Sequence, residues 1–422
     1  MTARPPGIRL REAHAHLPWL GRSLSMLDMA SCTGLDACLQ AVAARAAAEP
    51  RGTWIVGRSV RFEAWPEARW PTLRELDRAA PDNPVALLSF DHHALAANSL
   101  ALHAAGIDRA TPDPADGIIV RLDGQPTGVL LESAAKLVWS KAPEPDEGER
   151  ERQLDAAIES LTALGFSEVH DLWSPPWLAG SLARRTDAGR DKLRVDLFAG
   201  PDDLDLMAST RPAWERPNLR LAGLKIFVDG TLNSRTAWML RPYVDGMPES
   251  PHGTALMSVA QIEAAIRRAW SLGVGLAAHA IGDGAVRAVL DAVERAGKPD
   301  ERRFVRIEHA EVIDKADIPR FERLGVIASL QPCHLLADIE ALRRAIPDRL
   351  DRVLPIRSLL DAGLLPGRTL LFGSDVPVVR ADPEDSVLAA TLRRRADMPA
   401  GDAIAPGEAI YESDAWRAFE RA

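Results

Sequence analysis

From about residue 160 onward, short apolar runs alternate with amphipathic stretches. FSEVHDLW (166–173), LRVDLFAG (193–200), LRLAGLKIFVDG (219–230), GVGLAAHA (273–280), FVRIEHA (304–310), VIASLQP (326–332) and TLLFGSDVP (369–377) read as strands. Between them, SVAQIEAAIRRAWSLG places apolar residues at a spacing near 3.6, starts on Ser258 and stops on Gly273. GDGAVRAVLDAVERAG follows the same pattern. A βαβα series of this kind specifies a parallel sheet. GIRLREAHAH, residues 7–16, supplies an eighth strand at the front. The expected fold class is α/β, a (β/α)8 TIM-like barrel.

One interval is out of line. About 150 residues separate the first strand from the second. The expectation is one barrel domain over residues 1–422, with residues 17–160 forming a large insertion after strand one, over the barrel mouth. The insertion carries its own helix, LDACLQAVAARAAA, and the strand-like pieces TWIVGRSV, PVALLSF and GIIVRLDGQPTGVLLES. SKAPEPDEGERERQ is polar, contains proline and leads back to the barrel. Internal repeats and long low-complexity tracts are missing.

Composition changes this picture little. A chain of 422 residues, 46% hydrophobic, fits one large barrel with insertions or two ordinary domains. No run of 18 apolar residues predicts a transmembrane helix, and MTARPPGIRL lacks the apolar core of a signal peptide. With 51 basic and 60 acidic residues mixed along the chain, the net charge is −9 and no basic stripe stands out. That argues against nucleic acid as a main partner. Cys32, Cys38 and Cys333 are too few for a disulfide framework, and a reducing cytoplasm is the default. Cys32 and Cys38 read as buried small residues. The expected partner is a small-molecule substrate, with neither nucleic acid nor membrane, and a homo-oligomer is left open.

In such a barrel the chemistry sits at the C-terminal ends of the strands. Strand one ends in His14 and His16, strand four carries Lys225, strand five ends in His279, strand six in His309 and strand eight in Asp375. Each has a plain structural reading: a lone strand histidine is usually a satisfied core residue, Asp375 could cap a turn, and Lys225 could pair with Asp229. Four histidines, a lysine and an aspartate at successive strand ends are harder to attribute to packing. Imidazole and carboxylate are the usual ligands of divalent zinc in a hydrolytic site. A buried lysine amine driven toward neutrality can add carbon dioxide. The resulting carbamate is a carboxylate on a long arm that can bridge two metals, and two metals sharing a hydroxide make a nucleophile at neutral pH.

The pattern resembles the amidohydrolase superfamily, and within it the third amidohydrolase family, which includes N-substituted formamide deformylases. EAHAHL looks like the family's first-strand motif and LKIFVDGTLNSRTA like its metal-bridging lysine segment. AAHAIGDGAV, RIEHAEVI and LLFGSDVPVV look like its later strand motifs, and SFDHHALAANSLALHAAGI and GQPTGVLLES also look like family segments. The resemblance runs from about residue 8 to about residue 415. It implies that His14 and His16 bind the more buried of two divalent metals, zinc by preference. Lys225 then bridges as a carbamate, and His279 and His309 bind the second metal. Asp375 binds metal, takes the proton of the hydroxide as general base and passes it to the leaving amine. Members usually carry a small β-sandwich; here only 13 residues precede His14 and 47 follow Asp375, so it is expected to be absent.

The activity this implies is metal-dependent hydrolysis of an amide or related C–N bond other than a peptide bond. The competing readings are ester hydrolysis or isomerisation at the same site, and a non-catalytic binding or regulatory barrel. His92 in the insertion, His170 at the end of strand two and His334 after strand seven are secondary candidates for substrate contact. Trp54, Trp65 and Trp70 read as core of the insertion rather than substrate wall.

Overall fold

Eight parallel strands pair in chain order in this computed structural model, which describes residues 4–5, 7–62, 65–89, 94–114, 117–246 and 248–421. β1 (Leu10–Ala15) is followed by six strands of the inserted segment: β2 (Leu27–Asp28), β3 (Ile55–Val60), β4 (Val85–Ser89), β5 (Ala94–Ala97), β6 (Gly117–Leu122) and β7 (Gln125–Glu132). Then come β8 (Phe166–Ser174), β9 (Arg194–Ala199), β10 (Leu219–Phe227), β11 (Gly275–Ala280), β12 (Val305–His309), β13 (Ile327–Leu330) and β14 (Leu370–Phe372). The barrel order is β1-β8-β9-β10-β11-β12-β13-β14. Parallel bridging of Ala15 to Val376, with Asp375 N donating to His14 O at 2.7 Å and His16 N to Val376 O at 3.0 Å, brings the last strand back to the first. This is the (β/α)8 architecture expected from the apolar pattern, with every expected strand present.

The helices between the strands start and stop as their chemistry dictates. Val259–Ser271 opens on a capping box in which Ser258 and Gln261 satisfy each other's backbone N–H groups. Asp283–Ala296 ends at Gly297, whose φ of +111° suits a residue without a Cβ. SKAPEPDEGERERQ carries more than its polar, proline-containing composition marks. A helix, Glu147–Ala163, begins inside it. The prolines at 143 and 145 lie before its first turn, where Glu147 and Glu149 favour the positive end of the helix dipole.

The chain divides into two compact units. One runs to Leu20 and resumes at Ala157; the other is Gly21–Ala156. The second unit has its own six-stranded sheet, ordered β2-β3-β4-β5-β7-β6, and two cores. β4 sends Val85 and Leu87 into one core and Ala86 and Leu88 into the other, as period-two alternation requires. Trp65 and Cys38 are buried in the first core and Trp70 packs against it; Trp54 packs against the second. All three cysteines are free. Among the described residues, no helix is long and apolar enough to cross a membrane.

Candidate metal centre

All six residues of β1 are buried, and its alternation puts Glu12 and His14 on one face, with His16 just past its end. β14 reaches this strand end closely because Gly373 has no side chain. A Cβ there would lie 2.5 Å from His14 N and 2.9 Å from His14 Cβ. Glu12 ties the two strands together: it accepts from His14 N at 3.0 Å, Ser374 N at 2.8 Å and Ser374 Oγ at 3.0 Å. Burial pushes its carboxyl up to about 8.

Asp375 follows with φ +65°, in the left-handed region that non-glycine residues rarely adopt. Its Oδ1 lies 3.0 Å from His16 Nε2 and 3.4 Å from His14 Nε2. Burial raises the Asp375 carboxyl, but the facing His14 and His16 outweigh it and hold it below the usual range. His309 also needs a left-handed backbone. Glu308 points inward, so a regular strand would send its neighbour outward; φ values of +69° at His309 and +43° at Ala310 turn the chain. The His309 ring stands 4.9 Å from that of His14 and 4.5 Å from that of His279.

His279 Nε2 lies 3.0 Å from Gly230 O, so that nitrogen carries the proton and Nδ1 the lone pair. Lys225, in register with Ala277 on β11, is 1% exposed. It does not pair with Asp229, which accepts instead from the backbone N–H groups of Trp238, Ile281 and Gly282 at 2.9–3.0 Å. Burial lowers the Lys225 amine to about 8, against the opposing pull of Glu308 and Asp375. Burial, with help from Lys225, lowers His14 to about 4 and His279 to about 3; burial and neighbouring His279 and His14 bring His309 well down. These three imidazoles are therefore neutral at pH 7, the form that ligates a metal.

Donor atoms of His14, His16 and Asp375 lie within 4.8 Å of one another, as do those of His309, His334 and Asp375. Two buried atoms in this cluster, Lys225 Nζ and His309 Nδ1, have no hydrogen-bond partner among the described residues. An orphaned imidazole nitrogen beside neutral imidazoles and an ionised carboxylate fits a divalent cation, which would give the His309 nitrogen a partner, and the lysine amine would join the set once it loses its proton.

The secondary candidates divide. His334 stands at the site: its Nε2 donates to Ser374 O at 3.1 Å and its Nδ1 lies 3.7 Å from Glu311. Burial opposes its charge, but Glu311 and Asp375 raise it to about 9. His170 differs from the expected substrate contact. Both its ring nitrogens bond to protein, Nδ1 with Arg306 at 2.7 Å and Nε2 with Glu168 at 3.1 Å. His92 lies outside the described residues. Sequence reasoning passed over Glu12, Arg306 and Glu308. The signal was there: charged residues inside apolar strands, the feature that had singled out Lys225.

The Amidohydrolase family model matches residues 10–411. The chain belongs to the amidohydrolase family. This amidohydrolase is 32% identical to the Bacillus subtilis (strain 168) protein YtcJ over 419 residues, 95% of this chain and 76% of the relative. It is 29% identical to the N-substituted formamide deformylase of Arthrobacter pascens, over 97% of this chain and 77% of that protein. The crystal structure of an uncharacterized metal-dependent hydrolase from Pyrococcus horikoshii OT3 superposes with a TM-score of 0.78 at 26% identity, covering 98% of this chain and 79% of that one. Family and neighbours make this amidohydrolase a hydrolase with a metal-binding barrel.

Proposed function

We propose that the chain hydrolyses an amide or related C–N bond with two divalent ions, zinc by preference. His14, His16, His279, His309 and Asp375, with Lys225 as its carbamate, would hold the ions. The carrying observation is that donor atoms of His14, His16 and Asp375, and of His309, His334 and Asp375, cluster, that the His279 ring stands 4.5 Å from that of His309, and that a buried lysine amine has no hydrogen-bond partner among the described residues. Once bound, the ions supply Lewis acidity toward the carbonyl and lower the pKa of water. Asp375, ionised at neutral pH, takes a proton from the attacking water as its oxygen bonds to the carbonyl carbon. It returns that proton to the nitrogen as the C–N bond breaks, giving a carboxylic acid and an amine. His334, held by the Ser374 carbonyl at Nε2 and facing Glu311 at Nδ1, would act on an anionic part of the substrate through its positive charge.

The strand ends also suggest the substrate's apolar part. Trp173 is 47% exposed with φ +84°, and its ring stands 5.3 Å from that of Phe227, itself 38% exposed. Phe227 in turn faces the His279 ring at 5.1 Å. Exposed aromatic rings next to the ligands suit an apolar acyl or N-substituent. Metal analysis and a screen of N-acyl and N-formyl amides test the reading. About two divalent ions per chain and amide turnover abolished by chelation are expected. A protein that binds no metal, or whose turnover survives chelation, overturns it.

A further inference from the structure

His170 and the charged pair of the RIEH segment take no part in the reaction described above. They meet one layer deeper in the barrel. Arg306, 1% exposed, bonds through Nε to Glu308 Oε1, and through Nη1 to His170 Nδ1 at 2.7 Å. Its Nη2 donates to Ser329 Oγ at 3.0 Å and to Ala13 O at 2.5 Å. One side chain on β12 thereby grips β8, β13 and β1. Only a planar guanidinium offers donors in so many directions at once.

Glu308 passes this anchoring on to the metal centre. Its Oε2 lies 2.7 Å from His14 Nδ1. Ionised Glu308 can only accept, so Nδ1 carries the proton and Nε2 keeps its lone pair. That Nε2 is the nitrogen facing Asp375 at 3.4 Å. Gln331 Nε2 also approaches His14 Nδ1, at 3.3 Å, but as a second donor it cannot bond to a protonated nitrogen.

His170 completes the support. Accepting from Arg306 at Nδ1, it carries its proton on Nε2, toward Glu168 Oε1 at 3.1 Å. Donor atoms of Glu168, His170 and Asp196 cluster tightly enough to resemble a second metal group. Arginines already occupy it: Arg220 is bidentate on Asp196 at 2.8 and 2.5 Å, and Arg421 lies 2.9 Å from Glu168. It is an ion-pair wall against which Arg306 is braced.

We infer that Arg306 and Glu308 are positioning residues that lock His14 in its Nδ1–H tautomer, aim Nε2 at the metal position and thereby set metal affinity. The inference rests on His14 being a ligand. The test measures zinc affinity by chelator competition, alongside the melting temperature of the metal-free full chain, in wild type, Glu308→Gln, the double variant Glu308→Gln/Arg306→Met, and His14→Ala. Removing such a partner of a ligating histidine typically weakens metal binding about 10–100-fold. Glu308→Gln should show that loss and also melt lower, because it strands the buried Arg306 charge. The double variant removes that charge, so its melting temperature should recover while its zinc affinity stays low. A structural role alone would move both together: affinity recovering with melting temperature in the double variant overturns the proposal. So does wild-type affinity in Glu308→Gln when His14→Ala loses zinc. If His14→Ala itself binds zinc normally, the ligand assignment under Proposed function fails, and the positioning role falls with it.

Discussion

Replacing Lys225 with methionine should stabilise the metal-free protein while abolishing its activity. The amine is fully buried and lowered from 10.5 to about 8. At pH 7 it is still protonated in the folded metal-free chain, which therefore carries the cost of that displacement, about 3 kcal/mol at 1.36 kcal/mol per pH unit. Methionine fills a similar volume without charge, so Lys225→Met should recover most of that energy. Spread over the unfolding entropy of a barrel unit of roughly 290 residues, this is a rise in melting temperature of about 5 °C. The sign follows from proton counts. Between pH 8 and pH 10.5 the unfolded chain holds the lysine proton and the folded chain does not, so wild-type stability gains with rising pH in that window. Below pH 8 the full cost is present. His334 works the other way: raised to about 9, its contribution is complete below its ordinary 6.5 and lost as pH rises through 9. Only the difference between wild type and variant isolates the lysine. The assay is thermal unfolding of chelator-treated proteins at pH 7 and pH 9.5. The variant should lead at pH 7, and its lead should shrink at pH 9.5. A variant that melts below wild type at pH 7, or whose lead grows with pH, refutes the burial argument. Metal-loaded Lys225→Met should show no measurable amide hydrolysis.

The double variant His14→Ala/His16→Ala should lose bound zinc by elemental analysis, and full metal content would count against the ligand set. Gly373→Ala would bring a Cβ within 2.5 Å of His14 N, so it should lower stability by about 1–3 kcal/mol in denaturant titrations and reduce bound metal. Trp173→Ala should raise KM for amides with an aromatic substituent about tenfold and leave KM for small formamides unchanged; equal effects on both would remove the ring from the substrate site. In the second unit, Thr72→Ala breaks the capping box of helix Leu73–Ala79, costing about 1 kcal/mol without altering zinc content. The Arg69 partner of that box holds Glu75 down at about 2, so its support should be present above pH 4.3 and fade as pH falls toward 2, read by acid titration of unfolding.

How much of this could be read from residues alone depended on whether a pattern had one physical meaning. The apolar runs between 166 and 377 mark strands because each is bounded by an amphipathic helix with a clear start and stop, as Ser258 and Gly297 show. The helix from Glu147 was hidden by prolines just before it, which look the same whether they interrupt a helix or precede one. The inserted segment showed its pieces but not their pairing, because β3 and β4 are parallel whereas β5, β6 and β7 join by antiparallel pairs. Register of that kind depends on partners distant in sequence.

At the site, residue types could be read and directions could not. His14 and His16 do both reach Asp375, though the pairing of β1 with β8 shifts register between Glu12 and Ala15, so simple alternation alone did not guarantee it. The same rule applied to β12 would choose between Glu308 and His309. The protein uses both: Glu308 by strand parity and His309 by a backbone turned to φ +69°. The partners of His170 were equally invisible in the sequence. Its position near a strand end qualified it as a substrate contact, but Arg306 reaches it from β12, 136 residues away in sequence. A charged residue in an apolar strand is costly wherever it stands. Arg306, Glu308, Glu12 and Lys225 should therefore have raised the same question, and the answers differ by partner. Arg306 and Glu308 neutralise each other, Glu12 is held by backbone and hydroxyl donors, and Lys225 alone of the four has an amine with no hydrogen-bond partner among the described residues. An uncompensated charge among compensated ones is where the chemistry should lie.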